Sequence, residues 1–319
     1  MPAPPRPITI ADYIEWAAAN LKVDFSAPAT KNRYETNVQN AQNTVQNSGF
    51  IRGFRSFIAK QEEEYHARTG AQLLLYGELT VVKKPFDSAV QKSFRHNVLR
   101  NREFPGRPRK DWVTPDNWYS RFDDLVRSTL VCKFIDAPKI LAEALTSHAV
   151  SSGCAGRHIH RSTDEGYYAF HHYTAFPVEV VDDKWNSQTT NIEFEIQLTT
   201  QLQEVLRELT HPLYEAARLE VGPRDDQWKW DYDTPRFQTS YLGHTLHMIE
   251  AMIVQVRETG KAPLVEPQRT TPVQAVAESP SPALNTGPEV KVDPTAPVAA
   301  PAQNAEEEGN FPIDPENQK

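Results

Sequence analysis

Four short stretches of the chain carry residues whose types and spacing suit phosphate and metal chemistry. The first is Lys84-Pro-Phe-Asp-Ser88-Ala-Val-Gln-Lys92, followed by Arg95. Helix positions three and four apart share a face, so Ser88, Lys92 and Arg95 line one side of a helix with Lys84 at its entrance. Three cations and a hydroxyl near the positive end of a helix suit a polyphosphate, although a solvated basic face would have the same pattern. The second is Arg121-Phe-Asp123-Asp124-Leu-Val-Arg127, which runs into a β-prone segment. A carboxylate at the mouth of a strand can hold magnesium, which takes one or two protein carboxylates and fills its other positions with water and phosphate oxygens. A helix cap with surface ion pairs fits the same residues.

The third stretch is Asp164-Glu165-Gly166-Tyr167-Tyr168-Ala169-Phe170-His171. Glycine permits a tight turn that presents an aromatic ring, and a ring is a platform for a nucleobase. Along a strand His171 faces the same side as Tyr167; a buried tyrosine and a core histidine would look alike. In the fourth, Glu193, Glu195 and Gln197 share one face of a strand and Phe194, Ile196 and Leu198 the other. That alternation also describes any strand with one wet face. A helix follows and reaches His211 and Tyr214.

The elements that must position these residues follow from periodicity. Helices are predicted over Ile8–Leu21, Lys31–Thr69, Phe86–Leu99, Ala137–Val150, Thr199–Leu219 and Ser240–Thr259. Strands are predicted at Leu79–Val82, within Leu125–Phe134, and over Tyr167–Val181 and Asn191–Leu198, with a polar, basic loop at Asn101–Pro115. This order implies an α/β or α+β domain, a mixed sheet with helices packed against it. The expected organisation is a helical region at 1–70, a core at 71–220, a helical extension at 221–261 and a tail at 262–319. Eleven of the 25 prolines fall in the tail and Phe311 is its only aromatic residue, so disorder is expected there.

The net charge of −8 is misleading about partners. The tail holds nine acidic and three basic residues, −6 of the total, which leaves about −2 for the rest. Lys83 to Lys110 holds nine Lys or Arg against two acids, a local patch suited to phosphate rather than a general nucleic-acid surface. Two cysteines, Cys132 and Cys154, make neither a disulfide framework nor a zinc site. No apolar run has the length to span a bilayer and the amino terminus has no signal core, so a cytoplasmic protein without a membrane partner is expected.

Taken together and in order, Lys-xxx-Ser-xxx-Lys, an Asp before a β run, Gly-Tyr-xxx-His, Glu-Ile-Gln and a downstream His near a Tyr resemble the RelA/SpoT family synthetase domain, over roughly Leu79 to Tyr214. The resemblance implies a nucleotidyltransferase-like mixed sheet and a stand-alone pyrophosphokinase that moves the β,γ-pyrophosphate of ATP to the 3′-hydroxyl of GDP or GTP, making (p)ppGpp. It implies that Lys84, Ser88, Lys92 and Arg95 hold the ATP phosphates and that Asp124 and Glu195 bind Mg2+. It further implies that Glu195 activates the hydroxyl, that Tyr167 stacks on the acceptor base, that His171 lies beside the acceptor phosphates with Gln197 close by, and that His211 matches the family's helix histidine. Without a His-Asp hydrolase module, synthesis without built-in hydrolysis is expected.

Several positions depart from the family pattern. Val82 stands where an adenine-stacking arginine is common, Arg127 where glycine follows the aspartate, Glu165 where asparagine is usual, and Thr199 where an arginine follows Glu-Ile-Gln-Leu. Arg157 or Arg161 could receive the adenine instead. A second reading keeps the chemistry and changes the acceptor, making (p)ppApp or pyrophosphorylating the tRNA 3′ end in the manner of toxin-type members, with the basic, Trp-bearing Asn101–Trp118 loop as an RNA contact. A third is a catalytically dead nucleotide-binding or protein-interaction module. A homo-oligomer and a protein partner or antitoxin are compatible with each reading.

Overall fold

The computed structural model describes residues 6–218 and 226–260, with the side chains of 211–218 and of Gln227 excepted. All of these belong to the first of two units, Met1–Leu264 and Val265–Lys319. The tail at 262–319 and the His211 side chain lie outside the described residues.

Three helices lead, α1 (Ile10–Asn20), α2 (Pro28–Gln46) and α3 (Gly49–Thr69). A capping box between Thr9 and Asp12 starts α1. The single helix expected over Lys31–Thr69 is two helices. Ser48 takes the N-cap position, its side chain accepting from the Ile51 N–H at 3.2 Å, and the chain restarts there. Gly70, at φ +69°, closes α3 in the left-handed region that favours glycine.

Then come β1 (Val82–Lys83), α4 (Phe86–Phe94), α5 (Trp118–Arg121), β2 (Val126–Cys132), α6 (Ala137–Ser151), β3 (Gly156–Ser162), β4 (Tyr168–Val181), β5 (Ser187–Thr200), α7 (Gln201–Arg218) and α8 (Pro235–Thr259). The helix expected to run through Leu99 is α-helical only to Phe94, and Arg95–Leu99 forms a π-helical turn. The first strand lies three residues later than expected, at Val82–Lys83, and β3 was not anticipated at all.

The five strands form one mixed sheet in the order β1-β2-β5-β4-β3. β2 runs parallel to β5; the other pairs are antiparallel. The architecture is α+β, a mixed sheet flanked by helices, as the sequence implied. Strand alternation sorts the side chains onto two faces. Val126, Leu130, Phe194, Ile196 and Leu198 point into the core, which also takes Phe50 of α3 and Leu141 and Leu145 of α6. Helices α1 to α3 contribute Tyr13, Tyr34, Val38 and Phe54 to the same core. The opposite face carries Arg127, Thr129, Glu195, Gln197, His171 and Tyr173, placed side by side by the register pairs Arg127↔Glu195, Thr129↔Gln197, Tyr173↔Glu195 and His171↔Gln197.

Candidate active site

Lys84 leaves β1 and precedes Pro85, whose fixed φ of −60° sets the N-cap of α4. One turn into that helix Ser88 is half-buried, and Lys92 follows one turn later on the same face. Asp123 and Asp124 sit immediately before β2, held by buried Phe122 and Leu125. The two segments meet in a compact ion cluster. Lys84 Nζ donates to Asp124 Oδ2 at 2.6 Å, and Lys92 Nζ to Asp124 Oδ1 at 3.1 Å and Asp123 Oδ1 at 3.2 Å. Both lysines are buried, and Lys92 also lies 4.9 Å from the centre of the Phe122 ring.

Burial pushes the Asp124 carboxyl upward, but Lys92 and Lys84 outweigh it and hold the group well below the usual carboxylate range. Lys84 is shifted down by burial, which the attraction of Asp124 only partly offsets, and by the like charge of Lys92. Two ammonium groups held out of water on Asp124, with Asp123 as a second carboxylate at Lys92, are suited to a polyphosphate anion that takes the place of those carboxylates.

Glu195, in the middle of β5, is 4% exposed and fully hydrogen-bonded. His171 Nδ1 lies 2.7 Å and the Tyr173 hydroxyl 3.1 Å from Oε1, and Gln197 Nε2 donates to Oε2 at 2.9 Å. The Tyr167 hydroxyl reaches His171 Nε2 at 3.0 Å, completing a chain Tyr167–His171–Glu195. Burial would raise the Glu195 pKa; the bonds and charge of His171, with Gln197, outweigh it and hold the carboxyl below its ordinary value. The charge of Asp124 opposes that shift, so the two carboxylates sense one another. Both expectations about this strand pair therefore have a structural counterpart: Tyr167 and His171 meet, and Glu193, Glu195 and Gln197 share a face.

Arg95 opens the π-helical turn and is half-buried. Arg157 is taken up by Glu193, with Nε–Oε1 at 2.9 Å and Nη2–Oε2 at 2.5 Å, and its guanidinium lies 4.0 Å over the Tyr173 ring. Arg161 Nη2 lies 3.5 Å from the Tyr173 hydroxyl. Both arginines are thus part of the wall around Glu195. The Asn101–Trp118 segment loses its aromatic contribution to an RNA surface: Trp118 is fully buried, donates to Ser93 Oγ at 2.6 Å and stacks on Phe25, while Trp112 packs against Trp16.

A feature that motif reading missed is a cavity of about 590 Å3 lined by Leu75, Tyr76, Gly77, Glu78, Thr80, Thr129 and Val131. Thr129 and Val131 lie on the Glu195 face of the sheet, and the 75–80 wall leads into Lys84. Tyr76 is 69% exposed. Its signal in sequence was weak, an aromatic residue in an irregular segment before a short strand.

The tight turn before β4 is also more constrained than the motif suggested. Gly166 has φ +75°, and a Cβ there would collide with the Ser240 carbonyl of α8. Tyr168 stacks on His247 at 3.6 Å and 4°, and its hydroxyl lies 2.7 Å from His244 Nδ1. His244 Nε2 lies 2.9 Å from the Asp164 carbonyl oxygen, and Arg236 pairs with Glu165 at 3.2 Å. Helix α8 therefore grips the turn that carries Tyr167.

Among the described residues no group of three or more His, Cys, Asp or Glu side chains gathers as a metal cage. The site offers two carboxylates, Asp124 and Glu195, and hard oxygen donors in that number fit magnesium completed by phosphate and water. They do not fit a closed zinc site. Among the described residues no helix is long and apolar enough to cross a membrane.

No family model and no curated protein matches the chain. Solved structures similar to it include small alarmone synthetase 1 from Bacillus subtilis bound to its product pppGpp, at 14% identity over 66% of this chain and 93% of that one, with a TM-score of 0.40. Small alarmone synthetase 2 from Bacillus subtilis gives 14% identity over 72% and 98%, TM-score 0.42. A GTP pyrophosphokinase family protein from Streptococcus pneumoniae gives 16% over 72% and 93%, TM-score 0.40.

Proposed function

We propose that this chain is a pyrophosphokinase that transfers the β,γ-pyrophosphate of ATP to the 3′-hydroxyl of a nucleotide, with GDP or GTP as the leading acceptor. The observation that carries the reading is that the buried Lys84–Asp124–Lys92 cluster sits at the start of β2, beside the strand whose Glu195, paired in register with Arg127, ends the Tyr167–His171–Glu195 chain.

In this reading Lys84 and Lys92 exchange Asp124 for the donor phosphates, with Ser88 at the first turn of α4 and Arg95 beyond. That exchange frees Asp124 to join Glu195 in holding Mg2+, which when bound neutralises phosphate charge and lowers the pKa of a nearby hydroxyl. Glu195 accepts the proton of the acceptor 3′-hydroxyl. His171, Tyr173 and Gln197 fix its orientation and keep it ionised, which a base must be before the reaction begins. The lysines stabilise the charge that develops on the transferred group and on departing AMP. Tyr167, anchored through its hydroxyl, offers its ring to the acceptor base. The cavity at Tyr76 and Thr129 supports a seat for the donor base, with Tyr76 as the stacking ring in a chain that has Val82 where an arginine is common.

The test is transfer of label from ATP labelled on the γ-phosphate, offered separately GDP, GTP, ATP and bulk tRNA with magnesium. Label in a guanine nucleotide is the expected result. Label only in an adenine nucleotide or only in tRNA overturns the guanine assignment, and no label in any acceptor overturns the transfer reading.

A further inference from the structure

Nothing in the protein neutralises Arg127 on the site face of the sheet. Its register neighbours there are Val82 on β1 and Glu195 on β5. Val82 is short and apolar, and Glu195 spends Oε1 on His171 and Tyr173 and Oε2 on Gln197. Asp124, just before the strand, is taken by Lys84 and Lys92. Arg127 is half-buried, and it makes no hydrogen bond or ion pair with any described residue. The β3 arginines on the same face are spent otherwise, Arg157 on Glu193 and the Tyr173 ring, Arg161 on the Tyr173 hydroxyl. A guanidinium carries five N–H donors and no acceptor, and withdrawing it even partly from water without an anion is costly.

Its place along β2 says what that anion is. Residues two apart on a strand share a face and lie about 7 Å apart. Toward the carboxyl end of β2 the next residues on the face are Thr129 and Val131, which line the cavity together with Tyr76. Toward the amino end β2 begins at the ion cluster, where the Lys84 N–H donates to the Leu125 carbonyl at 2.9 Å. The like charge of Arg127 also helps to hold the Lys84 pKa down. Arg127 therefore stands between the seat proposed for the donor base and the lysines proposed for the phosphate tail. In a nucleotide laid across those two places, the groups between them are the ribose and the α-phosphate.

We propose that Arg127 holds the α-phosphate of the donor through its guanidinium fork and takes up the negative charge of AMP as it leaves. The inference rests on the transfer reading above. In that reaction the acceptor 3′-oxygen bonds the β-phosphorus, and the bond from that phosphorus to the α,β-bridging oxygen breaks. The electron pair of the broken bond leaves with AMP, and Glu195 takes the hydroxyl proton. A planar guanidinium meets two phosphate oxygens at once, which an ammonium cannot do. Lys84 and Lys92 must first give up carboxylates, whereas Arg127 has none to give up. A cation already in place where charge develops adds to the stabilisation of the transition state.

The test is isothermal titration of AMP, adenosine and inorganic tripolyphosphate into the full chain, as wild type, Arg127→Gln and Arg127→Lys. The wild type should bind AMP more tightly than adenosine. Arg127→Gln should weaken AMP by about 10- to 100-fold, the range of a lost charge-assisted bond, and so remove its advantage over adenosine. Adenosine and tripolyphosphate should bind this variant as they bind the wild type. Arg127→Lys keeps the charge and loses the fork, so it should keep part of the AMP advantage, and it carries the test if Arg127→Gln does not fold. A wild type that does not prefer AMP to adenosine overturns the inference, as do variants that bind AMP like the wild type. So does equal weakening of all three ligands, the mark of a residue that only supports the fold. These titrations need no turnover. A wild type that binds AMP through Arg127 but transfers no label overturns the transfer reading while the α-phosphate assignment stands. Label transfer by Arg127→Gln at the wild-type rate under saturating ATP overturns the role of Arg127 in AMP departure and leaves the transfer reading intact.

Discussion

Gly166 and Gly243 meet backbone against backbone: a Cβ on Gly243 would lie 2.5 Å from the Gly166 carbonyl oxygen. The contact joins the turn that presents Tyr167 to the helix that closes the fold. Gly166→Ala adds a left-handed backbone penalty, at φ +75°, to a collision with the Ser240 carbonyl, and should cost about 1–3 kcal/mol. If Tyr167 serves the acceptor as proposed, KM for the acceptor should rise while KM for ATP stays near the wild-type value. Equal changes in both would separate Tyr167 from acceptor binding.

Asp124→Asn leaves Lys84 buried against a neutral partner and takes one of two carboxylates from Lys92, which keeps Asp123. Breaking one side of a buried charge cluster costs about 3 kcal/mol, so the melting temperature should fall. Inorganic tripolyphosphate should stabilise this variant more than it stabilises the wild type, because in the wild type it must first displace Asp124. A differential scanning measurement in which tripolyphosphate shifts neither protein would contradict the assignment of the lysines to phosphate.

Tyr76→Ala should weaken ATP binding, by about tenfold for loss of one stacking ring worth 1–3 kcal/mol, without changing tripolyphosphate binding. Isothermal titration of the two ligands makes the comparison. If both weaken together, Tyr76 supports the phosphate site and not a base.

His172 is fully buried beneath the sheet, stacked on Phe50 and bonded to Thr174 Oγ1 at 2.8 Å. Burial, aided by His158, His148 and Arg157, pushes its pKa down to about 4. An unfolded histidine takes its proton near 6.5. Its contribution is therefore complete above pH 6.5 and is lost as the pH falls toward 4, by on the order of 3 kcal/mol at most. Asp124 and Glu195, whose pKa values are lowered, lose theirs only below the ordinary carboxylate range. His172→Gln should flatten the slope of unfolding free energy between pH 6.5 and 4. An unchanged slope would assign the acid sensitivity elsewhere.

Much of the fold was legible because its elements are amphipathic. β2 alternates in burial along its length, β5 alternates apolar and polar residues from Ile192 to Leu198, and the ends expected for α6 and α7 are close to those observed. What failed has local causes. β3 reads Gly-Arg-His-Ile-His-Arg-Ser, an edge strand whose charged residues hide its period. The helical pattern across Asn47 and Ser48 is unbroken in hydrophobicity, and only the Ser48 cap divides it. At the site, the order of the motifs and the resemblance they carry singled out Lys84, Asp124, His171 and Glu195, but gave no pairing among them and could not tell a surface carboxylate from one that is 4% exposed. Trp118 looked like part of a loop surface because its burial depends on Phe25 and Phe122, distant or irregular in sequence. The grip of α8 on the Gly166 turn joins residues about 75 positions apart and left no local trace.

The central claim is that Glu195 removes the acceptor proton during transfer of pyrophosphate from ATP. It is tested most directly by single-turnover transfer of the γ-label from ATP to GDP, comparing the wild type with Glu195→Gln at equal folded fraction. The wild type should form labelled guanosine product, and the variant, which keeps the shape of the side chain and loses the base, should be slower by about 10²- to 10⁴-fold while still binding ATP. Transfer by Glu195→Gln at the wild-type rate would contradict the account.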